Sequence, residues 1–167
     1  MNIERMEQIV RVLHEVSAKH KRFSLSTWHM DGPCGTTCCA IGWAAEDSWH
    51  QAQGLGNCFV ADYHTFPVGM PVFTNAEGIE LSGFAAAAEY LDITYEMTQE
   101  LFSVVYYKPA YGFSEIRPED VIAKINKYLL AEKAKAKAKP EPKNEDIFIF
   151  PRAEIVPQPP IYVDELV

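Results

Sequence analysis

The sequence predicts an α-rich single domain with a minor β-hairpin and an extended C-terminal arm. Three observations carry this. Apolar residues recur at spacings of three and four near both ends of residues 1–130. One glycine-containing turn, Asn75-Ala-Glu-Gly78, separates two short apolar runs, Val72-Phe-Thr and Ile79-Glu-Leu. After Leu130 the chain changes character, first to alternating Ala and Lys, then to a proline-rich apolar stretch.

The first helix is expected over residues 3–19, where Ile3, Met6, Ile9, Val10, Leu13 and Val16 form one face. Asn2 is its predicted N-cap, and Glu4 and Glu7 suit the positive end of the helix dipole. Phe23-Ser-Leu-Ser-Thr-Trp28 reads as a short extended segment, and Asp31-Gly32-Pro33 as a turn. A second helix is expected to begin between Cys34 and Thr37, capped by Thr36 or Thr37, and to run to about Asp47. Gly42 inside it, between Ile41 and Trp43, points to close approach of another backbone. Residues 50–72 look irregular, with Cys58 to Tyr63 as a candidate strand. Ser82 and Thr94 are expected to cap helices over Gly83–Leu91 and from Tyr95 to about Val104. Arg117-Pro118-Glu119-Asp120 opens a last helix with Val121, Ile122, Ile125, Tyr128 and Leu129 on its buried face.

Three regions result: an α-rich globular domain over 1–130, an Ala/Lys helix end and proline-containing linker over 131–146, and an extended arm over 147–167. The arm holds Ile147, Phe148, Ile149, Phe150, Ile155, Val156, Ile161, Tyr162 and Val163, with prolines that forbid a central strand. It is too apolar for a solvated tail, so docking in a groove or against a sheet edge is the expected role.

Composition restricts the function classes. The chain carries a net charge of -8, and no Lys or Arg occurs between Arg22 and Lys108, whereas acids do. A nucleic-acid groove needs cations along the phosphate path, so nucleic acid is excluded as a partner of this region. No apolar run is long enough to span a membrane. The N-terminus has acids among its apolar positions and does not read as a secretory signal, so a cytoplasmic location is expected. Four cysteines are too few for a disulfide scaffold.

The stretch Phe23–Ala45 concentrates the chemistry, with three of the four cysteines and two of the three tryptophans. Cys34 at a helix N-terminus would have a lowered thiol pKa, with His29, His50 or His64 as base. Trp28, Cys34, Gly35 and Thr36 are candidate ligand-binding residues. Against this, Cys38 and Cys39 read as small buried hydrophobes. Zinc would draw on Cys34, Cys38 or Cys39, Cys58 and His64, but C-x3-C-C departs from the C-x2-C knuckle, so no metal or other cofactor is expected. Cys-Gly-Thr-Thr-Cys-Cys resembles the Cys-Gly-Ser-Cys-Trp of papain-like proteases, with the second cysteine one residue farther on and no downstream His after His64.

Phe23-x-Leu25-x-x-Trp28 followed by Cys34-Gly35-Thr36-x-x-Cys39-x-x-Gly42-Trp43-Ala44 resembles a family of uncharacterised phage and bacterial proteins. In these, F-x-M-x-x-W precedes C-G-T-x-x-C-x-A-G-x-A. A helix pair similar to Ala88 to Phe102 follows, and the likeness spans roughly residues 5–130. Leu25 stands where that family has Met, and Ile41 where Ala is common. The resemblance implies a small α-rich accessory domain and no reaction. Two expectations follow. One is a non-enzymatic phage-type interaction protein, a virion component or an inhibitor of a host system, that docks a protein partner or a second copy through its arm. The other is a small-molecule binder or cysteine-dependent enzyme using the Cys34 region.

Overall fold

The structure is a computed structural model that describes residues 1–60, 68–107 and 116–138. The residues of the arm, 147–167, and His64 lie outside this set.

Helix α1 (Ile3–Ala18) forms as its periodicity requires: the Asn2 side chain accepts from the Arg5 backbone N–H at 3.1 Å, and Met6, Ile9, Leu13 and Val16 are buried. At the other end of the chain α6 (Pro118–Ala138) turns Val121, Ile122, Ile125 and Leu129 inward. These two helices pack together, joined at their rims by Lys133–Glu7 at 2.5 Å and a Ser17–Glu119 hydrogen bond. Between them in sequence lie α2 (Ala40–Glu46), α3 (Ser48–Ala52), α4 (Gly83–Leu91) and α5 (Tyr95–Phe102), with a 3-10 turn at Val104–Tyr106. Thr94 caps α5 through Met97 N–H, whereas Ser82 stands at the α4 cap position without a side-chain bond.

The sheet overturns the α-rich expectation. Among the described residues six strands, β1 (Arg22–Phe23), β2 (His29–Gly32), β3 (Gly35–Cys38), β4 (Leu55–Val60), β5 (Val68–Thr74) and β6 (Glu80–Ser82), form one mixed sheet in the order β1-β3-β2-β5-β4, with β6 also paired to β5. The class is α+β. All pairs are antiparallel except β1 with β3. Strand β5 organises the rest. One edge pairs with β4 along Val68–Phe73; the other is shared, His29 and Met30 of β2 opposing Gly69 and Val68, and β6 taking Val72 to Thr74. The expected hairpin at 72–81 is therefore present, as one corner of a larger sheet.

The expected helix start at Cys34 to Thr37 is also corrected. Gly32-Pro33-Cys34-Gly35 is the tight turn of the β2–β3 hairpin. Gly35 has φ +105°, a conformation open to glycine and strained for other residues, which is why the turn falls there. Thr36 and Thr37 are β-branched strand residues instead of caps. The helix begins later, at Ala40, and its cap is Cys39, whose Sγ accepts from the Gly42 N–H at 3.3 Å. Residues 50–57, expected to be irregular, instead finish α3 and open β4, which runs through Cys58–Val60 of the candidate strand; residues 61–63 of that candidate lie outside the described set.

Helix α2 is buried from Ala40 to Ala45, between α1 and the sheet. Gly42 permits this. A Cβ there would lie 1.8 Å from the Trp28 carbonyl oxygen, so the predicted close approach of backbones occurs at this position. That carbonyl also accepts from Cys39 N–H at 3.2 Å, fixing the strand β2 entry to the start of α2. The main core gathers Met6, Ile9, Leu13, Ile41, Leu55, Tyr90, Leu91, Leu101, Phe102 and Ile125 from α1, α2, β4, α4, α5 and α6.

Candidate functional site

Along β2, side chains alternate between the two sheet faces. His29 and Asp31 therefore share one face, and the hairpin register sets Cys38 opposite His29 and Thr36 opposite Asp31. Helix α2 ends above them with Glu46. The result is a polar cluster centred on an imidazole that is only 2% exposed. His29 Nδ1 lies 3.2 Å from Glu46 Oε1 and 3.4 Å from Cys38 Sγ. Its Nε2 lies 3.3 Å from Asp31 Oδ1, outside hydrogen-bond geometry, and makes no hydrogen bond. The Thr36 hydroxyl donates to Asp31 Oδ1 at 2.6 Å, and Asn57 Nδ2 donates to Glu46 Oε1 at 2.6 Å. The exposed Phe59 ring stands edge-on to the imidazole at 4.8 Å.

The Thr36 hydroxyl and then His29 hold the Asp31 carboxyl below its usual range. Cys38 is the reverse case. Its side chain has no solvent exposure and packs with Val12, Val16 and Trp43, and burial pushes the thiol far above its ordinary pKa. Burial likewise pushes Cys39 up to about 11, with the Gly42 N–H opposing. Cys38, His29 and Asp31 thus line up in the order of a nucleophile, base and acid, but the His29–Asp31 hydrogen bond is not made and the thiol is buried, with its pKa raised. No group of three His, Cys, Asp or Glu side chains among the described residues is arranged to hold a metal ion. The two carboxylates face opposite nitrogens of one ring, so the donors surround the imidazole instead of converging on a point.

The sequence-predicted site residues do not converge. Trp28 packs edge-on against Phe84 at 4.6 Å, at the α4 end of β2. Cys34 and Gly35 sit in the hairpin turn at the other end, about 14 Å of strand away. Cys34 is exposed and at no helix terminus, so the expected dipole activation is absent. Thr36 serves Asp31. His50 is buried in the core, its Nδ1 2.7 Å from the Tyr90 hydroxyl, and is no base for any of these thiols. Of the two described candidate bases, His29 meets a cysteine, and the partner is Cys38. Asp31 was legible as the i+2 neighbour of His29 on a strand; Glu46 and Asn57, brought by α2 and β4, had no local signal.

No protein-family model matches the chain, and no curated protein or solved structure is significantly similar to it. No described helix is long and apolar enough to cross a membrane.

The thiols give a direct check. Under native conditions iodoacetamide is expected to modify Cys34 and Cys58, both exposed, and to spare Cys38 and Cys39 until denaturant is added. Cys34→Ser is expected to change stability by less than about 0.5 kcal/mol, as for a surface substitution. Rapid native labelling of Cys38, read by peptide mass mapping, would contradict the sealed-thiol geometry.

Proposed function

We propose that this chain is a non-enzymatic interaction protein of the phage type, acting as a virion component or an inhibitor of a host system. It docks a protein partner through the apolar arm, residues 147–163, in the host cytoplasm or the virion. One observation carries the reading: the single Cys–His pair among the described residues, Cys38 with His29, is closed to solvent and its thiol is held protonated. An enzyme needs its nucleophile both ionisable and reachable. The cation-free run from residue 23 to 107 and the apolar arm support a binding role.

The competing cysteine-enzyme reading moves from Cys34 to Cys38, because among the described residues Cys38 is the cysteine within reach of an imidazole. It requires the Val12, Val16 and Trp43 cover to open.

Deletion of residues 140–167 separates the two readings. The described core draws its residues from positions up to Leu129, so the melting temperature of the truncated protein is expected to stay within about 2 °C of the full chain. Assembly is expected to be lost, as seen by sedimentation. A large drop in melting temperature on deletion would show the arm to be part of the fold, and the interaction reading would fail.

A further inference from the structure

An antiparallel sheet with one face in water alternates apolar and polar residues. Strand β5 does not. Gly69, Pro71 and Phe73 take the inner face with His29 and Leu55, on the side of α2 and α3, and the intervening Val68, Met70 and Val72 are apolar as well. The register sets Met30 of β2 opposite Val68 and Cys58 of β4 opposite Met70, so both join this outer face. Val68 is 43% exposed and Met70 37%, with Cys58 exposed beside them. Trp28, one residue before β2, extends the row: a Cβ on Gly83 would lie 3.7 Å from its ring and 3.6 Å from Met70 Sδ. From Trp28 the apolar surface continues edge-to-face through Phe84 to the exposed ring of Tyr95, at centroid distances of 4.6 and 6.3 Å.

Charge decides what fits this face. Strands β2 to β6 and helices α2 to α5 are all built from the run of residues 23–107 that holds no Lys or Arg. The charged side chains that border the face are acidic and exposed. Glu80 lies on the outer side of β6, opposite Thr74, and Glu96 follows Tyr95 in the first turn of α5. An anionic lipid surface or a nucleic acid would be repelled here. We propose that the outer sheet face docks a basic amphipathic helix of another protein. Its apolar stripe lies across Met30, Val68 and Met70, and its Lys or Arg residues meet the acidic rim. A helix layer is what an apolar sheet face takes, as the inner face takes α2. The acidic rim then selects the sign of the partner, and the Tyr95 ring offers a cation a second point of attraction. This surface is separate from the arm and does not depend on what the arm docks.

The test uses the full chain and a synthetic Leu/Lys amphipathic helical peptide, with a Leu/Glu peptide of the same apolar pattern as its counterpart. The Leu/Lys peptide is expected to bind with a Kd on the order of 10 µM, read by fluorescence anisotropy, and the Leu/Glu peptide at least about tenfold more weakly. Bound Leu/Lys peptide is expected to slow iodoacetamide labelling of Cys58, which lies on the face. Val68→Asp and Met70→Asp, both at exposed positions, are each expected to weaken binding about tenfold. Their sign is diagnostic. An added acid strengthens a merely electrostatic association with a basic peptide and weakens one that needs the apolar face. Glu80→Lys combined with Glu96→Lys is expected to weaken binding several-fold as well.

Binding that is unchanged or tightened in both Asp variants, with their melting temperatures near wild type, would overturn the inference. So would equal affinity for the two peptides. Protection of Cys58 by phosphatidylglycerol vesicles and not by the Leu/Lys peptide would overturn it in favour of a membrane surface. A Cys58 that reacts slowly in the free protein and quickly in Phe148→Asp would put the chain's own arm on this face, and the inference would again fail.

Discussion

Gly42→Ala is expected to cost about 3 kcal/mol of stability, at the upper end of overpacking penalties, and to lower the melting temperature by roughly 6–12 °C. A methyl group there would sit 1.8 Å from the Trp28 carbonyl oxygen, 2.9 Å from its carbonyl carbon and 3.0 Å from Cys38 Cβ. Two of the three are backbone atoms, so relief requires moving β2 against α2. That movement would break the Cys39 N–H bond to the same carbonyl and disturb the His29–Cys38 pair one residue away. Gly42→Leu is expected to prevent folding. A thermal melt of Gly42→Ala within about 2 °C of wild type would show that the two backbones are not in this contact.

Acid is expected to destabilise the domain well before its carboxylates titrate, through His50. The ring is fully buried and hydrogen-bonded to Tyr90, and burial lowers its pKa from 6.5 to about 4, with Arg11 and Arg5 adding to the effect and Asp47 opposing it. The unfolded chain therefore binds a proton at His50 between pH 6.5 and 4 that the folded protein refuses. Stability from this group is complete above pH 6.5 and falls as the pH drops toward 4. The loss is on the order of 2 kcal/mol after discounting for solvent screening. Asp31, Glu15, Glu119 and Glu132, whose pKa values are lowered by their partners, act in a lower window, their contribution being lost as the pH falls from the ordinary carboxylate range downward. Urea melts at pH 7 and pH 4.5 measure the effect. His50→Gln is expected to flatten the dependence between those values, whatever it does to stability at pH 7. An unchanged slope in His50→Gln would assign the acid sensitivity to other groups.

Helical elements were legible because their signals are local. The spacing of Ile9, Leu13 and Val16, the caps Asn2 and Thr94, and the Pro118 start each depend on residues within a turn or two. The sheet was not, because its pairings are long-range. His29 opposes Gly69 about forty residues away, and nothing near either residue encodes the other. One correction was available locally. Asp31-Gly-Pro-Cys-Gly followed by two threonines is hairpin chemistry, and reading it so pairs His29 with Cys38 by register alone. The misreading came from treating Thr36 and Thr37 as helix caps, which removed the strand and with it the partner of the candidate histidine. Cys39 took the cap because its thiol, directed at the Gly42 N–H, is the first acceptor beyond the strand.

The α1–α6 pairing also bears on how this protein is made. The first helix off the ribosome presents Met6, Ile9, Leu13 and Val16, and a large part of their cover is the last described helix. Synthesis proceeds N-terminus first at about 5–20 residues per second, so roughly 5–20 s separate the emergence of α1 from that of α6. Throughout that interval the nascent chain carries an unburied apolar stripe, and a message truncated before codon 118 would yield a product unable to hide it. Quality-control chaperones and proteases should therefore discriminate sharply between full-length and prematurely ended chains.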